Sequence, residues 1–198
     1  DQLAVFDDGA GSALALAAIV AMPGCGGSGQ ATQKGVVVKT SDGQFVRLQV
    51  VNDKIIRVSA TLDGVFDKDA SLMTVPQNDF TAYETNENDS TFVITTKEVK
   101  AVVCKASGNV AFFNIDGTPI LREDGRIMRD TTITQSDAKN TKTDKGLTFR
   151  QKWVPGEDDA IYGLGQHQAE DFNYRGKNED LYQYNTKVSI PFFISNKG

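Results

Sequence analysis

The sequence predicts an all-β protein, an antiparallel β-sandwich, and three observations carry that prediction. Apolar and polar residues alternate over short runs, the period of a half-buried strand. Turn residues punctuate those runs: Ser41-Asp42-Gly43, Asn52-Asp53, Ser107-Gly108-Asn109 and Asp116-Gly117. No window of a dozen residues keeps the apolar spacing of an amphipathic helix. Short strands at regular spacing fit a sandwich or an up-and-down barrel, and periodicity does not separate the two.

Residues 13–25, ALALAAIVAMPGC, stand ahead of the strands. This apolar run is too short to span a bilayer and has the length of a signal-peptide core. It ends in Cys25, followed by the Gly/Ser-rich stretch 26–33. The expected organisation is therefore a lipoprotein-like signal over 1–25 with Cys25 as the lipidated residue. A flexible tether over 26–33 and a folded domain over 34–198 follow it. Asp1, Asp7 and Asp8 stand where a basic segment belongs, and Pro23 is unusual two residues before such a cysteine. A mis-started or disordered N-terminus is the alternative.

From Val36 the strands begin. Val36 to Thr40 runs into the Ser41-Asp42-Gly43 turn. Phe45 to Val51 places Val46, Leu48 and Val50 on one face, with Arg47 and Gln49 on the other. After Asn52-Asp53, Lys54 to Ala60 turns Ile56, Val58 and Ala60 inward, which completes a three-stranded meander. Thr91 to Thr96 and Glu98 to Lys105 form the next pair, with Cys104 as a small strand residue. Val110 to Ile115 and Thr118 to Leu121 follow. The polar, Thr-rich span from Arg122 to Lys145 reads as a connection, and Leu147 to Val154 as one more strand around Trp153.

The last stretch, Ile161 to Gly198, opens on the strand signal Ile161-Tyr162-Gly163-Leu164-Gly165. A long loop dotted with Phe172, Tyr174, Tyr182 and Tyr184 follows, and the apolar run Val188 to Ile194 closes it. That run reads as a strand interrupted or started at Pro191, with Phe192 and Phe193 in the core. Aromatic rings among amides and carboxylates suit a sugar: rings stack on a pyranose face while polar groups take its hydroxyls.

Composition excludes several functions. One chain of 198 residues, 39% apolar, holds one core, and a net charge of −5 lacks the basic face that nucleic acid needs. A single histidine, His167, and two cysteines, Cys25 and Cys104, do not make a His/Cys zinc site. No G-x-S-x-G marks a nucleophile, and Gly163-Leu164-Gly165 lacks the third glycine and helix of a dinucleotide site. Asp67 to Ser71 starts like a calcium loop, but Leu72 and Asn78 replace its glycine and glutamate, so a plain loop is the better reading. No cofactor and no metal are expected. The acidic doublets, Glu123-Asp124 and Asp158-Asp159 among them, read as solvated loop acids.

The ordered blocks YGLGQ, NYRGK, QYNT and IPFFISNKG resemble the end of the N-terminal domain of glycoside hydrolase family 31, in its α-xylosidase and α-glucosidase branch from Bacteroides-type bacteria. The resemblance is dense over Ile161 to Gly198 and general over roughly 34–155. It implies a galactose-mutarotase-like β-sandwich, truncated here before a catalytic (β/α)8 barrel. It further implies that the family's two catalytic aspartates lie on that barrel, so this chain carries no catalytic residue. The implied activity of the whole protein is retaining α-glycoside hydrolysis, α-xylosidase-like. The implied partners are its own C-terminal barrel and an oligosaccharide substrate. The membrane is met only through the lipid anchor, at the bacterial periplasm or cell surface.

The same resemblance places Asn185 where relatives send a polar side chain toward the sugar, with Tyr184 as a stacking wall. Packing or capping of the loop is the other reading of both residues. His167 reads as a structural hydrogen-bonding residue. A free-standing carbohydrate-binding surface lipoprotein is the alternative function. Ser195 to Gly198 stops directly after an apolar strand, which favours the truncated enzyme.

Overall fold

The computed structural model describes residues 35–66, 75, 80–137, 139–166, 168, 171–183 and 185–197. The signal-like segment with Cys25, the tether, His167, Tyr184 and nearly all of the calcium-loop-like stretch lie outside the described residues. Among the described residues every regular element is a strand, and the chain divides into two compact units, residues 35–123 and residues 124–197.

In the first unit, β1 (Val36–Lys39), β2 (Phe45–Asn52) and β3 (Ile55–Thr61) form an antiparallel sheet in that order. A meander of β4 (Glu84–Glu87), β5 (Thr91–Thr95), β6 (Val99–Cys104) and β7 (Val110–Asn114) leads into β8 (Pro119–Ser136). Alternation decides what is buried. Val38, Val46, Leu48 and Val50 from the first sheet pack with Phe92, Ile94, Ala101, Val103 and Val110 from the second. Two inner faces sharing one core are a sandwich.

The turns read from sequence hold the sheets together at both ends. Ser41 N–H donates to Lys105 O at 3.0 Å, and Asp42 N–H to Ala106 O at 3.3 Å. At the other end the Thr96 hydroxyl donates to Asp53 O at 2.6 Å. Lys105 itself is buried, its ammonium held by the Glu87 carboxylate and the Asn88 carbonyl. Cys104 is a half-buried free thiol at the end of β6, a small strand residue as expected.

One expectation fails here, and one strand goes unforeseen, for the same physical reason. The Arg122 to Lys145 span is not a connection: β8 continues to Ser136 and pairs with β9 (Thr141–Val154). Asp137 turns the chain, its carboxylate accepting the Lys139 and Asn140 N–H groups at 2.8 and 2.7 Å. Thr134 faces Thr143, and Ser136 faces Thr141, with hydroxyl oxygens 3.5 and 3.1 Å apart. Side chains near the tip are exposed on both faces, so no apolar alternation marks the strands. β4 is exposed at all four positions and is silent in the sequence likewise. Glu123 also departs from the solvated reading. It is 8% exposed on β8 and its carboxylate accepts the Val110 N–H at 2.9 Å.

Candidate functional site

The second unit ends in the hairpin that brackets the aromatic loop. β10 (Ile161–Gln166) pairs antiparallel with β11 (Val188–Ser195), Ile161 opposite Ser195 and Gln166 opposite Val188. The ladder shifts between Gly163, opposite Phe193, and Gly165, opposite Ser189. Pro191 falls inside that shift, where its missing N–H costs no ladder bond. The strand is thus continuous from Val188 and carries an irregularity at Pro191, rather than starting or breaking there. Gly163, Leu164 and Gly165 all take positive φ, at 115°, 64° and 101°. A Cβ on Gly165 would sit 2.0 Å from Val188 O, so only glycine allows this approach.

The irregular ladder also sorts the two phenylalanines. Phe193 turns inward and meets Trp153 edge to face, centroids 6.2 Å apart. Phe192 is 63% exposed, beside exposed Val188, Ile190 and Ile194. Its placement in the core is therefore corrected: alternation gives one Phe to each face.

The loop is fastened at its start. Asn173 Oδ1 accepts the N–H groups of Ile161 and Arg175, at 2.9 and 3.0 Å, and Tyr174 N–H donates to Ile161 O at 2.8 Å. The Arg175 guanidinium donates to Glu157 O and Asp159 O, at 2.5 and 3.1 Å. Beyond β11, Asn196 exchanges backbone and side-chain bonds with Asp158 and Ala160, each 3.0 Å long. The Lys197 ammonium reaches the Asp159 carboxylate at 2.5 Å. The hydrogen bond from Lys197 holds the Asp159 carboxyl below the usual carboxylate range. The Gly156 N–H and the charges of Lys197 and Arg175 act the same way, against burial. Asp159 is therefore no solvated acid, whereas Asp158 is exposed.

Further along, Gln183 Oε1 accepts the Ser189 N–H at 3.1 Å, and the Lys187 ammonium lies 4.8 Å from the centre of the Tyr182 ring. Asn185 is exposed in the turn that precedes β11, and Tyr182 and Phe172 are exposed in the same loop. Asp171 pairs with Lys177 at 2.9 Å. No group of three or more His, Cys, Asp or Glu suited to a metal occurs among the described residues. The loop thus offers an exposed amide and aromatic rings, while Asp159 and Asp171 are engaged by lysines.

The model of the glycosyl hydrolase 31 N-terminal galactose mutarotase-like domain matches residues 45–198. The chain belongs to this family. An uncharacterized family 31 glucosidase from Pseudescherichia vulneris is 25% identical over 170 residues, 78% of this chain and 32% of that protein. The GH31 α-xylosidase from Xanthomonas citri is 34% identical with a TM-score of 0.68, over 84% of this chain and 18% of that one. A GH31 α-xylosidase from a soil metagenome, solved with xylose, shares the fold at 21% identity and TM-score 0.61, over 83% of this chain and 26% of that one. This GH31 domain spans about a third of the length of the curated relative.

In this GH31 domain the sequence reading missed the fastening role of Asn173, Arg175, Asn196 and Lys197. Their signal was present: amides and cations in NYRGK and ISNKG follow an acidic turn, Glu157-Asp158-Asp159, that precedes β10.

Proposed function

We propose that this domain is the non-catalytic N-terminal part of a retaining α-glycosidase, α-xylosidase-like, that hydrolyses O-glycosyl bonds in oligosaccharides. The domain supports a C-terminal (β/α)8 barrel and lends its last loop to the sugar pocket. The observation that carries the reading is the likeness to the X. citri α-xylosidase, 34% identical over 84% of this chain.

Chemistry and geometry agree with it. Retaining hydrolysis needs two carboxyl groups about 5 Å apart, one a nucleophile and one an acid/base. Near the loop, Asp159 and Asp171 are each paired with a lysine, and Glu179 and Asp180 are chain neighbours, a poor arrangement for a pair set across one bond. Asn185 supplies hydrogen bonds without charge, and Tyr184 and the exposed rings supply stacking. The exposed row Val188, Ile190, Phe192 and Ile194 suits burial against a partner domain. Anchoring through Cys25 at the periplasmic face or cell surface completes the reading.

The test is an assay of the purified 198-residue chain and of a polypeptide extended through the barrel, on 4-nitrophenyl α-D-xylopyranoside and α-D-glucopyranoside. Only the extended protein is expected to release nitrophenol. Release by the short chain overturns the non-catalytic role.

A free-standing carbohydrate-binding lipoprotein is the second reading, favoured by Phe172 at 90% exposure. Calorimetry of the short chain with xylo-oligosaccharides separates the two, since half a pocket binds sugar only weakly.

A further inference from the structure

We infer that the turn over residues 156–160 is a clamp, and that Asp159, Arg175 and Lys197 are positioning residues that set the path of the 171–187 loop. The inference rests on the proposed sugar-facing role of that loop.

The clamp gathers the start of the loop and the chain beyond β11 onto one short stretch of backbone. Asn173 and Arg175, from the loop's first residues, bind Ile161 and the carbonyls of Glu157 and Asp159. Asn196 and Lys197, just past the returning strand, bind Asp158, Ala160 and the Asp159 side chain. Fastening the start of the loop to a turn that the chain beyond β11 also fixes removes part of the loop's freedom beforehand, so that ordering cost is absent when sugar binds.

The cations here are spent on protein acceptors. Arg175 donates to two carbonyls and Lys197 to a carboxylate, so neither is held ready for a sugar hydroxyl. The adjoining hollow, lined by Pro155, Asp159, Ile161, Arg175 and Gly176, holds ≈ 150 Å³ and is almost wholly apolar. Ligand pockets run to roughly 300–1,000 Å³, so this hollow is packing space within the clamp and not a saccharide subsite.

Gly156 shows how closely the clamp is built. Its N–H donates to Asp159 Oδ2 at 2.6 Å. A Cβ there would lie 2.6 Å from Asp159 Oδ1 and 2.8 Å from Lys197 Nζ. Gly156→Ala therefore strikes the ion pair sterically while leaving every charge in place.

The experiment uses the full-length protein that carries this domain, as wild type, Gly156→Ala, Asp159→Asn, Lys197→Met and Lys197→Arg. Amide hydrogen exchange is read by mass spectrometry. The KM and kcat are measured on 4-nitrophenyl α-D-xylopyranoside or the α-D-glucopyranoside, whichever the wild type cleaves. Exchange over 171–183 is expected to quicken at least about tenfold in the first three variants, with β2, β5 and β6 unchanged. The KM is expected to rise about three- to tenfold with kcat within about twofold, and Lys197→Arg to restore both readouts. Unchanged loop exchange, or loosening that spreads to β2 and β5, overturns the clamp. Faster loop exchange with an unaltered KM upholds the clamp and overturns the sugar-facing reading of the loop.

Discussion

The Lys197 ammonium lies 2.5 Å from Oδ1 of Asp159, whose side chain keeps 16% of its surface exposed. The pair joins a residue beyond the last strand to the turn before β10, and its acid has a lowered pKa. A carboxyl whose folded pKa lies below its unfolded value of about 3.9 stabilises the fold fully above that value. The contribution fades as pH falls through the folded pKa. Melting temperatures of wild type and Asp159→Asn should therefore differ by a constant amount near neutrality. The gap should narrow below about pH 4. Asp116 and Asp137 also have lowered pKa values, through N–H bonds of nearby residues, and they cancel in this difference.

A second ion pair gives a prediction about which partner matters more. Lys105 has a side chain 5% exposed, against 30% for Glu87. Removing the acid leaves a buried ammonium with fewer acceptors, whereas Lys105→Met removes the charge and keeps most of the volume. Glu87→Ala should cost about 2–4 kcal/mol in urea unfolding, and Lys105→Met less. The reverse order would mean that Lys105 finds solvent when its partner is gone.

Much of the fold was legible, and the reason is the same at each legible point. Val46, Leu48, Ala101 and Val103 stand at every second position, and a strand with one buried face must show that period. The β8–β9 tip was not legible because Thr132, Thr134, Thr141 and Thr143 are exposed and leave no apolar trace. The loop could be found from its rings and length, but its fastening depends on Asn173 meeting Ile161 and Lys197 meeting Asp159. Contacts across a dozen residues or more do not show in local pattern.

Phe192 and Phe193 yield opposite expectations from adjacent positions. Phe193→Ala removes the edge of Trp153's packing and should cost about 1–3 kcal/mol, less than the value for a fully buried Phe. Phe192→Ser acts on an exposed ring, so stability should change by about 0.5 kcal/mol or less. The same change should reduce self-association of the isolated chain, read by light scattering. Equal destabilisation by the two variants would place Phe192 in a packed environment.

If the domain's last loop faces the sugar while the acids lie elsewhere, as proposed, Asn185 is the residue whose loss should show it. The measurement is kcat/KM of Asn185→Ala against wild type in the full-length protein, on the 4-nitrophenyl α-D-xyloside and α-D-glucoside of the proposed activity. Loss of a hydrogen bond to a sugar hydroxyl, worth about 0.5–1.5 kcal/mol, should lower kcat/KM by roughly 2- to 13-fold at an unchanged melting temperature, since Asn185 is exposed. Unchanged kinetics together with a lowered melting temperature would mean that the loop does not face the sugar and that Asn185 only shapes its own turn.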